Sequence, residues 1–228
     1  MTETREWSYA GTELAWLKAG LQPSSEGPGR MVAELVPSGF AAYLRVFHPF
    51  EAMDGSGSTR SWHALAKDVG VRLHAELSHR FVSDEDMAAG RKPRWLTASG
   101  QPDNGTRQAL ARALARTTGD QPVFFAYDVA ALLWGQDAPL VRRSSLASLE
   151  AVRAAVAADA GGMEGPEFWW PQDRSWVVTS DIDLVSTYVG CSAEATADIL
   201  NDPEIEALLV TPDTQVDFSA DQASHRFP

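Results

Sequence analysis

The segment GPEFWWPQDRSWVVTSDIDLVSTYVG, residues 165–190, places three of the chain's eight tryptophans within eight positions and sets acids among them. Each tryptophan buries a large area, so such clustering marks either a dense corner of the core or a binding surface. Beside Trp169, Trp170 and Trp176, the pattern predicts Asp173 and Arg174 in a turn and Asp181 with Asp183 at a strand end. Tyr188 falls in the β-rich run that follows. Loops and strand ends are where recognition and catalysis are usually mounted. These eight residues are the expected partner-binding site. The competing reading is that the indoles fill a sheet–helix interface while the acids cap turns. Asp181 and Asp183 also match the paired-carboxylate spacing that holds Mg²⁺ or Mn²⁺, because hard cations want several oxygen ligands. The glycine-rich nucleotide loop that usually accompanies such a pair is absent, so no metal is assigned.

Other chemistries find less. His48, His63, His74 and His79 make no HExxH pattern, and with one cysteine a zinc site is not expected. Cys191 follows Gly190 where a helix should begin, a position that would lower a thiol's pKa; alternatively it is a small residue packed at a strand-to-helix turn. No G-x-S-x-G elbow and no G-x-x-x-x-G-K-[ST] loop occurs, which sets aside the common serine hydrolases and the P-loop NTPases. No cofactor and no catalytic residue is assigned.

The 165–190 block resembles a segment of an uncharacterised actinobacterial protein family. The resemblance covers part of the chain and implies no activity, cofactor or site residue.

Charge is unevenly distributed along the sequence. The chain has a net charge of −12, and residues 159–228 carry 14 acids against only Arg174 and Arg226, so this stretch holds the whole imbalance. Phosphate backbones are bound by lysines and arginines, so nucleic acid is not an expected partner. The acidic stretch is either a solvated face or a surface that attracts a basic or mixed-charge protein. The longest apolar stretch, 123–134, is interrupted by Asp128 and is too short to span a bilayer. The opening MTETREWSYAG has neither the basic nor the apolar part of a leader, and a single cysteine permits no internal disulfide, so a cytoplasmic location is expected.

The elements that would position these residues follow from periodicity. Thr12 is expected to cap a helix carrying Leu14, Leu17 and Leu21. Residues 31–36 and 40–47 read as a β-hairpin around Pro37-Ser38-Gly39. A helix carries Trp62, Leu65, Ala66 and Val69. Residues 83–105 read as a surface excursion, after which Asn104 should cap a helix with Leu110 and Leu114 on one face. VFFAY, 123–127, suits a strand covered on both sides. Residues 144–160 make the strongest helix, with Leu149 and Val156 on its buried stripe and Gly161-Gly162 at its end. Strands are expected at 175–182 and 185–189, a helix from Ser192 to Leu200, and a last strand at 208–211.

Strands and helices without strict alternation indicate an α+β fold, a mixed or antiparallel sheet packed with several helices, over residues 1–212. Residues 213–228 should form a loose acidic tail. The expected function is a non-enzymatic binding module that engages a protein through its acidic, tryptophan-rich surface. The alternative is a small-molecule hydrolase or transferase with a tryptophan-walled pocket and Asp181 or Asp183 as base or metal ligand.

Overall fold

A computed structural model describes residues 8–9, 13–23, 29–127, 140–159, 165–217 and 220–221. The fold is α+β. Its main sheet contains β1 (Ser8–Tyr9), β2 (Ala42–Phe47), β6 (Val123–Tyr127), β7 (Leu140–Ser144), β8 (Phe168–Pro171), β9 (Val177–Ser180), β10 (Ser186–Cys191) and β11 (Ala207–Val210). They run in the order β1-β7-β6-β8-β9-β10-β2-β11, and every adjacent pair is antiparallel. A small second sheet joins β3 (Phe50–Ala52), β4 (Thr59–Arg60) and β5 (Trp95–Thr97) in the order β4-β3-β5. The helices are α1 (Ala15–Gly20), α2 (Trp62–Asp68), α3 (Arg80–Ala88), α4 (Asn104–Thr118), α5 (Leu149–Asp159) and α6 (Ala193–Leu200). Among the described residues, no helix is long and apolar enough to cross a membrane.

Both faces of the large sheet are covered, so its central strands are apolar on both sides. On one face, Leu110 and Leu114 of α4, Leu149 and Val152 of α5 and Ile199 of α6 pack on Leu44, Val46, Phe125, Val178 and Val189. The helices begin where short polar side chains can satisfy the first amides. The Asp103 carboxylate accepts from Gly105 and Thr106, and the Ser192 hydroxyl accepts from Ala195. On the opposite face, Leu17 of α1 and Val32, Leu35 and Val36 cover Tyr43, Phe168, Trp170, Val177 and Tyr188. A third cluster joins Phe47 and Phe50 to Trp62 and Leu65 of α2 and Phe81 of α3.

Several sequence expectations are revised. Residues 31–47 are not a hairpin: Val32–Glu34 form a 3-10 turn, and the amides of Val32 and Ala33 bind the carbonyls of Thr214 and Pro212. Strand β2 instead pairs with β10 and β11, more than a hundred residues away in sequence. The 83–105 excursion contains the end of α3 and all of β5, which pairs with β3. The 144–160 helix starts later, because Ser144 ends β7 and Leu146–Ser148 make a 3-10 turn before α5. Asp103, not Asn104, caps α4. Residues 213–217 do not hang free. Gln215 bridges to Met31, the Val216 amide binds the Arg30 carbonyl and the Asp217 carboxylate accepts from Gly29. Thr12, the Val156 side chain and residues 222–228 lie outside what is described.

Candidate functional site

The four aromatic residues expected at a partner surface are in the core. Trp169, Trp170, Trp176 and Tyr188 are each 2% exposed or less. Successive strand residues point to opposite faces, so Trp169 and Trp170 belong to different layers. Trp169 meets Trp176 edge-on at 5.4 Å on the α4 side, and the Trp176 indole donates to the buried Thr118 hydroxyl at 2.9 Å. Trp170 stacks on Phe124 at 5.6 Å and meets Trp16 edge-on at 5.7 Å on the other side.

The charged candidates stay nearer the surface but do not converge. Asp173 and Arg174 occupy the β8–β9 turn, where Asp173 accepts from the Ser175 amide and the Gln121 side chain. Arg174 has a left-handed backbone with φ of 58°, closing the turn through its amide to the Pro171 carbonyl. Asp181 and Asp183 lie beyond the far end of β9, with the whole strand between them and Asp173 and Arg174. Asp181 pairs with Arg30 at 2.7 Å and accepts from the Asp183 amide at 2.9 Å. Among the described residues, no three His, Cys, Asp or Glu side chains are placed to hold a metal ion.

Asp183 leads to the site. It lies on the wall of a pocket of about 460 Å³ that opens beside the ends of β2 and β10. That volume is within the range of small-ligand sites. Leu184, Val185 and Val216 form an apolar side, while Arg30, Arg45, Arg80, Asp183 and Asp217 supply charge and Ser78 and His79 further polar groups. No tryptophan lines this pocket.

Arg45 is the unusual member. It sits mid-strand in β2, between Leu44 and Val46, and is 3% exposed. Its Nε donates to the Ser186 hydroxyl at 2.9 Å and its Nη1 to the Ala75 carbonyl at 2.7 Å. The guanidinium lies 4.4 Å from the Phe47 ring centre and 5.1 Å from that of Trp62. Two hydrogen bonds and two aromatic faces therefore hold a planar cation in one orientation. Among the described residues, no carboxylate comes within ion-pair distance of it. Burial pushes its pKa down, opposed by Tyr188, Asp221 and Glu76 nearby. Tyr188 is directly opposite Arg45 in the β10–β2 register, and its buried hydroxyl has no hydrogen-bond partner among the described residues.

Two other groups that could suggest chemistry are sealed. Ser180, Thr187 and His48 form a hydroxyl–hydroxyl–imidazole chain with links of 2.8 and 3.0 Å, yet none is more than 1% exposed. Cys191 is the last residue of β10 rather than the first of a helix; it is fully buried 3.3 Å from the Thr196 hydroxyl, and burial pushes its thiol pKa up. Of the two readings of Cys191, the packed residue at a strand-to-helix turn is the one these contacts fit.

Of the pocket's charges only Asp183 was expected at a site from the sequence; the others come from positions 30, 45, 80 and 217, with nothing in their spacing to link them. One signal was present: a lone arginine inside the apolar run AYLRVF, at 42–47. No protein-family model matches the chain, and neither does any curated protein or solved structure.

Proposed function

We propose that this protein binds a small organic anion, a carboxylate or a phosphate ester, in the pocket floored by Arg45. The observation that carries this reading is a guanidinium buried to 3% exposure, on a pocket wall, whose Nη2 makes no hydrogen bond among the described residues. Removing a cation from water costs several kcal/mol unless an anion or a set of hydrogen bonds replaces its hydration. Here the protein supplies only part of that replacement. A carboxylate or phosphate oxygen accepting from Nη2 would supply the rest, through a short charge-assisted bond. The test is calorimetric titration with acetate, hexanoate, citrate and inorganic phosphate, repeated on Arg45→Met after circular dichroism has verified its fold. Binding by the parent and its loss in the variant is expected. Equal binding by both proteins would overturn the reading.

A second reading keeps a protein partner of basic or mixed charge at the β9–β10 turn. It is favoured by Ile182, which is 72% exposed between Asp181 and Asp183. In this reading the contact is made by Asp181, Ile182 and Asp183 without the tryptophans, and Asp173 and Arg174 belong to a separate edge. Ile182→Ser should then slow association with a captured partner while leaving titration of the pocket unchanged.

A further inference from the structure

We infer that the ligand of the Arg45 pocket is a zwitterion, a small molecule with a carboxylate, an ammonium group and an apolar body. The inference rests on the anion-binding reading above and adds a second pole to it.

It follows from which charges on the pocket wall are already used. Arg30 is held by Asp181 at 2.7 Å. Asp217 accepts from the amides of Gly29 at 2.7 Å and Arg30 at 3.1 Å, fastening the 213–217 strand-like segment to residues 29–34. Arg80 and His79 have neighbours of their own to engage. Two charges remain. Arg45 is buried with no carboxylate in ion-pair distance among the described residues, and the Asp183 carboxylate makes no hydrogen bond or ion pair with them.

These two groups differ in depth. Arg45 is buried and forms the floor, while Asp183 is exposed and stands at the mouth. The backbone fixes Asp183 there, because its amide is bound by the Asp181 carboxylate, which Arg30 in turn holds. Leu184, Val185 and Val216 lie on the same wall and offer an apolar surface. A ligand with its acid on Arg45, its amine on Asp183 and a hydrocarbon body along that surface matches every unspent group. A simple anion such as phosphate would leave Asp183 facing it with like charge, which works against binding.

The experiment compares two-pole and one-pole probes by calorimetry on the full chain. L-Leucine, L-leucyl-L-leucine and 6-aminohexanoate vary the separation of acid and amine, and each is paired with its N-acetyl derivative, which keeps the acid and removes the cation. Inorganic phosphate is included as an anion without an apolar body. At least one zwitterion should bind about tenfold or more tightly than its N-acetyl partner, the size of one charge-assisted contact. Asp183→Asn should abolish that preference and leave the N-acetyl derivative's affinity within about twofold. This variant removes charge from an exposed carboxylate that makes no hydrogen bond or ion pair among the described residues, so folding is preserved. N-acetyl derivatives that bind as tightly as their parents would overturn the zwitterion inference and leave the anion reading standing, as would a preference that survives Asp183→Asn. If no zwitterion, N-acetyl acid or phosphate binds, both fall together.

Discussion

The Thr187 hydroxyl donates to Nε2 of His48 across 3.0 Å in the interior of the protein, where neither residue is more than 1% exposed. The direction of this bond follows from the other ring nitrogen: Nδ1 lies 3.0 Å from the Ala98 carbonyl, which can only accept, so Nδ1 carries the proton. Thr187 is then free to accept from Ser180. Burial pushes the His48 pKa down to about 4, outweighing the favourable Ala98 bond. In the unfolded chain His48 takes up its proton near pH 6.5, whereas the folded protein resists it down to about pH 4. The unfolded state therefore binds more protons in that window, and stability falls as the pH is lowered through it. Urea titrations should show about 2 kcal/mol less stability at pH 5 than at pH 7.5 from this group alone. A His48→Asn variant, whatever its absolute stability, should lose most of that slope, and an unchanged slope would refute the assignment.

Arg107 and Glu150 join α4 to α5, and the pair should respond asymmetrically to mutation. Arg107 donates to Glu150 through Nε at 2.7 Å and Nη2 at 3.1 Å, and through Nη1 to the Pro102 carbonyl at 2.8 Å. The Arg107 side chain is 4% exposed and that of Glu150 42%. Removing the arginine lets the carboxylate return to water, so Arg107→Met should cost about 1–3 kcal/mol. Removing the carboxylate leaves a buried cation, so Glu150→Ala should cost more, about 3–5 kcal/mol. Chemical denaturation of the two variants would expose a reversed order. The bonds from Arg107 also hold the Glu150 pKa below its ordinary value, so this contribution is present above about pH 4.3 and fades as the pH falls below it.

Gly190 should not tolerate alanine. A Cβ there would lie 2.4 Å from Cδ2 of Phe40 and 2.7 Å from Cγ1 of Val36, inside the cover over the sheet. Overpacking of this kind costs about 1–3 kcal/mol. Thermal denaturation of Gly190→Ala with no loss of Tm would show that Phe40 can move aside.

Cys191, its neighbour, should be inert toward a thiol reagent such as Ellman's reagent in the folded protein and react fully in urea, because its sulfur is buried and its pKa raised. Rapid native labelling would mean that the turn between β10 and α6 opens readily.

Leu149→Ala should cost about 2–5 kcal/mol, since this residue is 4% exposed and packs in the helical layer over the sheet. A change within about 0.5 kcal/mol in a denaturant titration would place α5 away from the core.

Duplex DNA should not be retained in a mobility-shift assay at physiological salt. The outward arginines of α4, Arg112 and Arg116, are exposed but each is paired with an acid, Glu204 and Asp198 respectively. Their pairing with acids leaves them poorly placed to neutralise phosphates.

Local features were legible in the sequence where neighbours in the chain determine them. The run VFFAY gave β6, Ser192 the cap of α6, and the spacing of Leu110 and Leu114 the inner face of α4, since each depends on a few adjacent residues. The α+β class followed from the same signals, while strand pairing decided between a mixed and an antiparallel sheet. The 31–47 hairpin failed because strand partners are chosen by contacts across the whole chain, and β2 found β10 and β11. Clustered tryptophans marked a place of large buried area correctly but could not say what buried it. Alternation along β8 sends Trp169 and Trp170 into opposite layers, and only a sheet covered on both faces turns both into core. Charge shows the same division. The sequence separates a neutral first part from an acidic last part, whereas the fold sets Arg30, Arg112 and Arg116 from the first against Asp181, Glu204 and Asp198 from the second. The pocket belongs wholly to tertiary structure: its floor is an arginine whose burial no local pattern dictates, brought beside Asp183 by pairing between strands some 140 residues apart.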